Sequence, residues 1–309
     1  MDDGPRARVG VDLGGTKIEV AALAADGRVL LRRRIATPRE GYDAIVRAVG
    51  DLVRGVEAEL GGACPVGVGT PGARSPATGR MKNCNTTCLN GQPLDRDLER
   101  AIGHPIRLAN DADCLTLSEA ADGAGRGCRT VFGVILGTGV GGGLVVDGRL
   151  VRGPNAVSGE WGHNPIPWPT AFERPGARCY CGRRGCIETF LCGGAVSDDF
   201  LARTGHRLAA EQVAALADAG HVDAEASLEL WLERLAKGLA SVINVVDPDI
   251  FVLGGGLSNI ERLYSEVPAR WDRYAFTDVV LTRLAPARHG DSSGVLGAAR
   301  LWDGVADSA

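Results

Sequence analysis

Apolar residues along this chain fall into short runs punctuated by glycine, and the runs come in two matching sets. Residues 7–12 and 16–23 read as strands joined by a glycine turn, and 28–36 follows the Asp26-Gly27 hairpin signal as a third strand. Residues 130–152 repeat that order: a strand at 130–136, a glycine-rich turn, a strand at 144–146, the Asp147-Gly148 hairpin signal and a strand at 149–152. Each meander is followed by helical and strand signals. Apolar positions recur at helical spacing from Tyr42 to Leu60, and 65–69 is a short strand. Residues 106–109 form a strand running into a helix from about Asp111, and 229–246 a long helix; 249–253 is a strand and 259–267 a helix. The pattern is α/β in two related halves, and a two-lobed molecule of that kind places a cleft between its lobes.

Composition narrows the function classes. Of 309 residues, 45% are hydrophobic and 23% charged, a globular balance, and 34 basic against 38 acidic side chains leave a net charge of −4. That balance, without a polybasic run, argues against nucleic acid as a partner. No apolar stretch reaches the length of a membrane span, and the first residues lack the zones of a signal peptide, so a cytoplasmic protein is expected. The nine cysteines then read as reduced thiols or metal ligands. Glycine is the outlier, with 44 residues concentrated in short runs that suggest backbone approaching a ligand.

Three of those runs are candidate phosphate or nucleotide contacts. Asp12-Leu13-Gly14-Gly15-Thr16-Lys17 places successive backbone N–H groups beside a hydroxyl and an ammonium, an anion-binding arrangement, although a lone Gly-Gly turn is also an ordinary tight hairpin. Gly137-Thr138-Gly139-Val140-Gly141-Gly142-Gly143 matches G-x-G-x-x-G, but a strand follows it where a dinucleotide fold needs a helix. A second phosphate cradle fits better. Gly254-Gly255-Gly256 lies between a strand and a helix, at the strand end where open α/β sheets bind ligands. His163 with Cys179, Cys181 and Cys186 makes a Cys3His set suited to closed, structural Zn²⁺. Cys64, Cys84, Cys88, Cys114 and Cys192 lack such a pattern and read as small core or loop residues. Asn110-Asp111 reads as a helix N-cap, or as a carboxylate able to accept the proton of an attacking hydroxyl. Glu160 and Glu188 bring further polar groups to the cysteine-rich segment.

In order along the chain, DLGGTK, AND at 109–111, LGTGVGGG at 136–143, GEWGH at 159–163 and CYCGRRGCIE at 179–188 resemble the signatures of the ROK group of sugar kinases and repressors. The resemblance spans nearly the whole chain. It implies the actin-like ATPase fold, two RNase H-like lobes around a central cleft: residues 1–112, joined by a returning C-terminal helix at 293–309, and residues 113–292, carrying the zinc loop. It further implies that Asp111 is the catalytic base, with Asn110, Glu160, His163 and Glu188 holding the sugar. His163 would use one ring nitrogen for zinc and the other for a sugar hydroxyl. Asp12, Gly14, Gly15, Thr16, Lys17, Gly137, Thr138 and Gly139 would bind the phosphates of ATP, with its Mg²⁺, and Gly254, Gly255 and Gly256 the adenosine region.

Within the group, KNCNTTCLNGQPLDRDL, GEWGHNPIPW and RHGDSSGVLGAARLW look most like bacterial fructokinases that also accept mannose or glucose. The expected activity is therefore phosphorylation of the 6-hydroxyl of fructose by ATP, with glucokinase, mannokinase and N-acetylglucosamine kinase as alternatives, in a homodimer. A sugar-responsive repressor is the reading from another class; it needs a helix-turn-helix ahead of the first strand, where only a few residues stand. Asp113 departs from the subgroup's usual Asn and puts a second carboxylate two residues from the expected base.

Overall fold

The computed structural model describes residues 7–303. Two compact units are present: Met1–Ala121 with Leu150–Ser158 and Asp291–Ala309, and Asp122–Arg149 with Gly159–Gly290. The first unit thus runs past residue 112, because it keeps all but the last residue of the helix beginning at Asp111, and it also takes in 150–158.

Each unit is built on a five-stranded sheet. In the first, β1 (Arg8–Leu13), β2 (Lys17–Leu23) and β3 (Val29–Ala36) form an antiparallel meander, and β4 (Val66–Thr70) and β7 (Ile106–Asn110) extend it in parallel, in the order β3-β2-β1-β4-β7. A small hairpin, β5 (Ala73–Arg74) with β6 (Met81–Lys82), interrupts the connection. Helix α1 (Tyr42–Leu60) buries Ile45, Val49, Val53 and Val56, one stripe at helical spacing, and ends on Gly61 in the left-handed conformation with φ 84°. Helices α2 (Leu94–Ile102) and α3 (Asp111–Asp122) complete this part.

The second sheet repeats the arrangement. Strands β8 (Thr130–Leu136) and β9 (Val140–Val146) are antiparallel, β10 (Arg149–Leu150) is the edge, and β11 (Ile250–Gly254) and β12 (Arg283–Pro286) add in parallel, in the order β10-β9-β8-β11-β12. Numbered within its own unit, each sheet therefore reads 3-2-1-4-5. The duplicated sequence pattern is a duplicated topology. The central parallel strands β4 and β11 are buried at all five positions, as strands covered on both faces must be.

Helices α4 (Glu188–Leu191), α5 (Gly193–Thr204), α6 (Ala210–Asp218), α7 (Val222–Val246) and α8 (Leu263–Glu266) belong to this unit. The long helix α7 begins well before the expected Glu229, because His221 accepts from the Ala224 N–H at 3.4 Å and Asp223 and Glu225 follow in the first turn. Its Leu228, Trp231, Leu232, Leu235 and Leu239 pack into the core with Phe251 and Trp271. The helix expected at 259–267 is instead a 3-10 turn at Gly256–Asn259, the short α8 and a second 3-10 turn at Pro268–Arg273, since Pro268 has no N–H to continue the ladder. The expected glycine turn at 137–143 is shorter too: Gly141, Gly142 and Gly143 lie within β9.

The chain ends on the first sheet. Helix α9 (Ser293–Ala299) lies over β1 and β4, followed by a 3-10 turn at Arg300–Trp302; residues 304–309 of the expected helix lie outside those described. Contact is backbone to backbone: a Cβ at Gly10 would stand 2.0 Å from the Val295 carbonyl oxygen, and one at Gly67, its register partner, 1.9 Å from that of Ala298. The Trp302 indole N–H donates to Val66 O at 2.8 Å, and the Arg107 guanidinium stacks over its ring at 4.0 Å. Gly67→Ala should therefore lift α9 off the sheet and cost at least about 2 kcal/mol in urea unfolding; an unchanged midpoint would contradict this packing.

Candidate functional site

Parallel register gathers the chemistry of the first unit at one sheet edge. Asp12 pairs with Gly69, Gly69 with Ala109, and Thr70 with Asn110, so Asp12 and the Asn110-Asp111 step share the carboxyl end of β1, β4 and β7. The N–H of Ala112 donates to Asn110 Oδ1 at 2.9 Å and to Asp111 Oδ1 at 2.8 Å, which sets both side chains at the positive end of α3. Asn110 Nδ2 is 3.5 Å from Thr70 O. Thr70, which sequence reasoning passed over, is buried with its hydroxyl 3.0 Å from Gly72 O and 3.2 Å from Ala109 O, bracing the strand ends.

The β1–β2 turn sits on the same edge. Gly14 N donates to Lys17 O at 3.0 Å, Thr37 Oγ1 donates to Gly14 O at 2.7 Å, and Lys17 Nζ is 3.9 Å from Asp291 Oδ2. Neither Gly14 nor Gly15 has positive φ. Their smallness serves close approach: a Cβ on Gly15 would stand 3.0 Å from Thr86 Oγ1. Burial raises the Asp12 carboxyl from its ordinary 3.8 to about 6, with Lys17 opposing the shift. Cys114, fully buried beneath, is pushed well above its usual range, first by burial and then by the nearby carboxylates Asp113, Asp12 and Asp111. It is an inert core thiol.

In the second unit the Gly137–Gly139 turn closes with Gly137 N donating to Gly139 O at 3.0 Å. Glu188 braces it: Oε2 accepts from Val140 N at 3.0 Å, and a Cβ on Gly139 would meet that oxygen at 2.8 Å. Gly254 pairs with Ile135, so the Gly254–Gly256 segment stands beside this turn at the carboxyl edge of the sheet. Gly255 has φ 86° and approaches Leu136 so closely that a Cβ would be 2.3 Å from its carbonyl oxygen. Other glycines have a packing reason. A Cβ at Gly159 would stand 2.3 Å from Gly142 O and one at Gly162 2.2 Å from Val140 O, so the GEWGH segment lies directly on the backbone of β9. The Trp161 indole N–H locks it there by donating to Gly141 O at 3.0 Å.

That segment delivers His163 to the cysteines. His163 Nδ1 is 3.6 Å from Cys179 Sγ, Cys181 Sγ is 3.6 Å from Cys186 Sγ, and one ligand atom from each of the four residues lies within 4.8 Å of the others. Sulfurs around a tetrahedral zinc at ~2.3 Å stand ~3.8 Å apart, close to the spacing here. Left-handed Gly182 and Gly185, φ 89° and 70°, shape the knuckle. His163 Nε2 points the other way, 3.0 Å from the Tyr180 hydroxyl. Tyr180 went unnoticed in the sequence, although it stands between two of the cysteines. Burial raises its phenol above the ordinary value, and Glu188, Cys179 and Glu160 add to the rise. Glu188 Oε1 also lies 3.8 Å from Cys179 Sγ.

Sequence comparison matches residues 8–305 to the ROK family. An N-acetyl-D-glucosamine kinase of Yersinia pseudotuberculosis is 39% identical over 94% of this chain and 97% of its own length, and one of Escherichia coli 37% identical over 94% and 98%. Among solved structures, a ROK hexokinase from Thermus thermophilus superposes with a TM-score of 0.83 at 32% identity, covering 95% of this chain and 96% of that one. A ROK family glucokinase from Streptomyces griseus, in complex with glucose and AMPPNP, gives 0.78 at 27% identity, covering 96% and 98%. The fold is the actin-like ATPase fold of these kinases. Among the described residues no helix is long and apolar enough to cross a membrane.

Asp12 yields a pH-dependent prediction. A carboxyl that holds its proton more tightly when folded adds stability that is complete below about pH 3.8 and is lost as pH rises through about 6. Asp12→Asn should therefore stabilise the ligand-free protein by about 1–3 kcal/mol at neutral pH and add little at about pH 4. Urea titrations at the two pH values check it; equal gains at both would refute the assignment.

Proposed function

The chain belongs to the ROK family, and from that membership we propose an ATP-dependent sugar kinase whose preferred acceptor is N-acetyl-D-glucosamine. The observation that carries the reading is the 37–39% identity, over nearly the full length of both partners, to N-acetyl-D-glucosamine kinases. It moves the preference away from fructose, which the sequence motifs favoured, to the amino sugar that stood among the alternatives.

In the proposed reaction Asp111 accepts the proton of the sugar's 6-hydroxyl as that oxygen attacks the γ-phosphorus of ATP in line, and ADP leaves with the broken P–O bond's electrons. The cap bonds at Ala112 N support this role, since they hold the carboxylate in one orientation at a helix terminus. Asn110, Glu160, Glu188 and His163 Nε2 position the sugar; Glu188 offers Oε1 because Oε2 is taken by Val140. Gly14–Lys17 and Gly137–Gly139 receive the phosphates of ATP with its Mg²⁺, Asp12 stands by as the half-buried carboxylate of that edge, and Gly254–Gly256 borders the adenosine. Cys179, Cys181, Cys186 and His163 Nδ1 are proposed to hold zinc, which would cross-link a loop with little apolar burial of its own and contribute no step of the transfer.

A coupled assay of ADP release across N-acetylglucosamine, glucose, mannose and fructose tests the acceptor. The expected result is a kcat/KM for N-acetylglucosamine above the other three, and a higher value for fructose would reverse the preference. Asp111→Ala should reduce kcat by roughly 10²- to 10⁴-fold while costing only about 1 kcal/mol as a lost cap. Elemental analysis should find about one zinc per chain, lost in Cys181→Ser; a zinc-free wild-type protein with its fold intact would eliminate the metal.

A further inference from the structure

Away from these residues, the first unit carries an open depression of about 700 Å³ whose lining includes Arg80, Arg96, Glu99, Arg100 and His104. Its lining carries three arginines and one glutamate, with the carboxylates of Asp97 and Glu57 standing behind Arg100 and His104. Several of the polar groups are already committed. His104 Nε2 lies 2.7 Å from Glu57 Oε1 and Nδ1 3.1 Å from Pro105 O, while Glu99 Oε1 accepts from Ile106 N at 3.3 Å. Arg100 pairs with Asp97, whose other oxygen takes the Tyr42 hydroxyl at 2.5 Å. Arg80 spends Nη1 on Gly91 O at 2.8 Å. Arg96 is exposed and has no partner among the described residues.

We propose that this depression binds a small phosphate dianion, either the free ion or the phosphoryl group of a sugar phosphate. Guanidinium forks match tetrahedral oxyanions in pairs, which a point ammonium does not, and the lining holds arginines and no lysine. The volume lies in the range of small-molecule sites. No aromatic or long aliphatic side chain lines it, which excludes an apolar cofactor. The depression rests on Gly103–Pro105, the segment leading into β7, and β7 ends at Asn110 beside Asp111. The proposal does not depend on the identity of the sugar substrate.

Titration calorimetry of the full chain, with Lys17→Ala as background so that the β1–β2 turn contributes no phosphate site, provides the test at constant ionic strength. Inorganic phosphate is the first titrant and glucose 6-phosphate the second. Saturable binding of one ion per chain is expected, weakened about tenfold by Arg96→Ala and partly restored by Arg96→Lys. Binding of both titrants identifies the phosphoryl group as the ligand, and binding of inorganic phosphate alone identifies the free ion. Affinity untouched by Arg96→Ala and by Arg80→Ala, or heats that merely follow ionic strength, would overturn the site. Because the readout is binding and not turnover, a failed kinase assay leaves this result standing.

Discussion

Parallel pairing of β1, β4 and β7 is the constraint on which the candidate residues of the first unit depend. It aligns Asp12, Gly69 and Ala109 in one row, so that the carboxylate of one strand and the Asn110-Asp111 step of another share an edge although about a hundred positions separate them in the chain. A register slip of one residue would turn Asp12 to the other face of the sheet and bring Leu13 or Val11 in its place. The row is held from beneath by Cys114, whose sulfur would be 3.1 Å from a Cβ on Gly69, and from the side by Thr70. Polar groups at the rim thus inherit their placement from apolar packing below.

The second unit applies the same topology to a different end. Its strand edge carries glycine where the first carries acid, and the irregular segment after Gly159 lies on β9 through glycine-to-backbone contacts that leave no room for side chains. With Trp161 buried and bonded to Gly141 O, the following His163 has little freedom, and its two ring nitrogens are divided between the thiols and the Tyr180 hydroxyl. A separate buried network, Glu173 with Arg234 and Lys237, ties the loop that bears the cysteines to α7. Burying Glu173 and Lys237 is costly unless each is paired, so the network specifies where the loop docks more than it adds to stability.

Much of this was legible beforehand, and the reasons differ by element. Helix α1 was readable to both ends, because Ile45, Val49, Val53 and Val56 form a stripe and Gly61 terminates it. The two meanders were readable because Asp-Gly turns separate their strands. Helices α5 and α6 gave little signal: α5 opens on two glycines and buries only Val196, Ser197 and Phe200. At 256–273 tertiary packing of Leu257, Leu263 and Trp271 wins over helical continuity, and Pro268 divides the segment. The glycine density is plain in the sequence, but its cause is only partly legible there. Gly142, Gly159 and Gly162 are small because two backbones touch, a fact that needs coordinates. Acceptor preference was harder still, since one hydroxyl or acetamido group alters few atoms of a pocket.

The docking of α9 on β1 and β4 also bears on how the chain is made. A ribosome that has extended the polypeptide to Gly290 has produced every residue of the second unit, yet Gly10 and Gly67 of the first sheet still lack the covering backbone that Val295 and Ala298 will bring. The first sheet is therefore completed only after the second unit has been made, and its strands await the segment that follows Gly290.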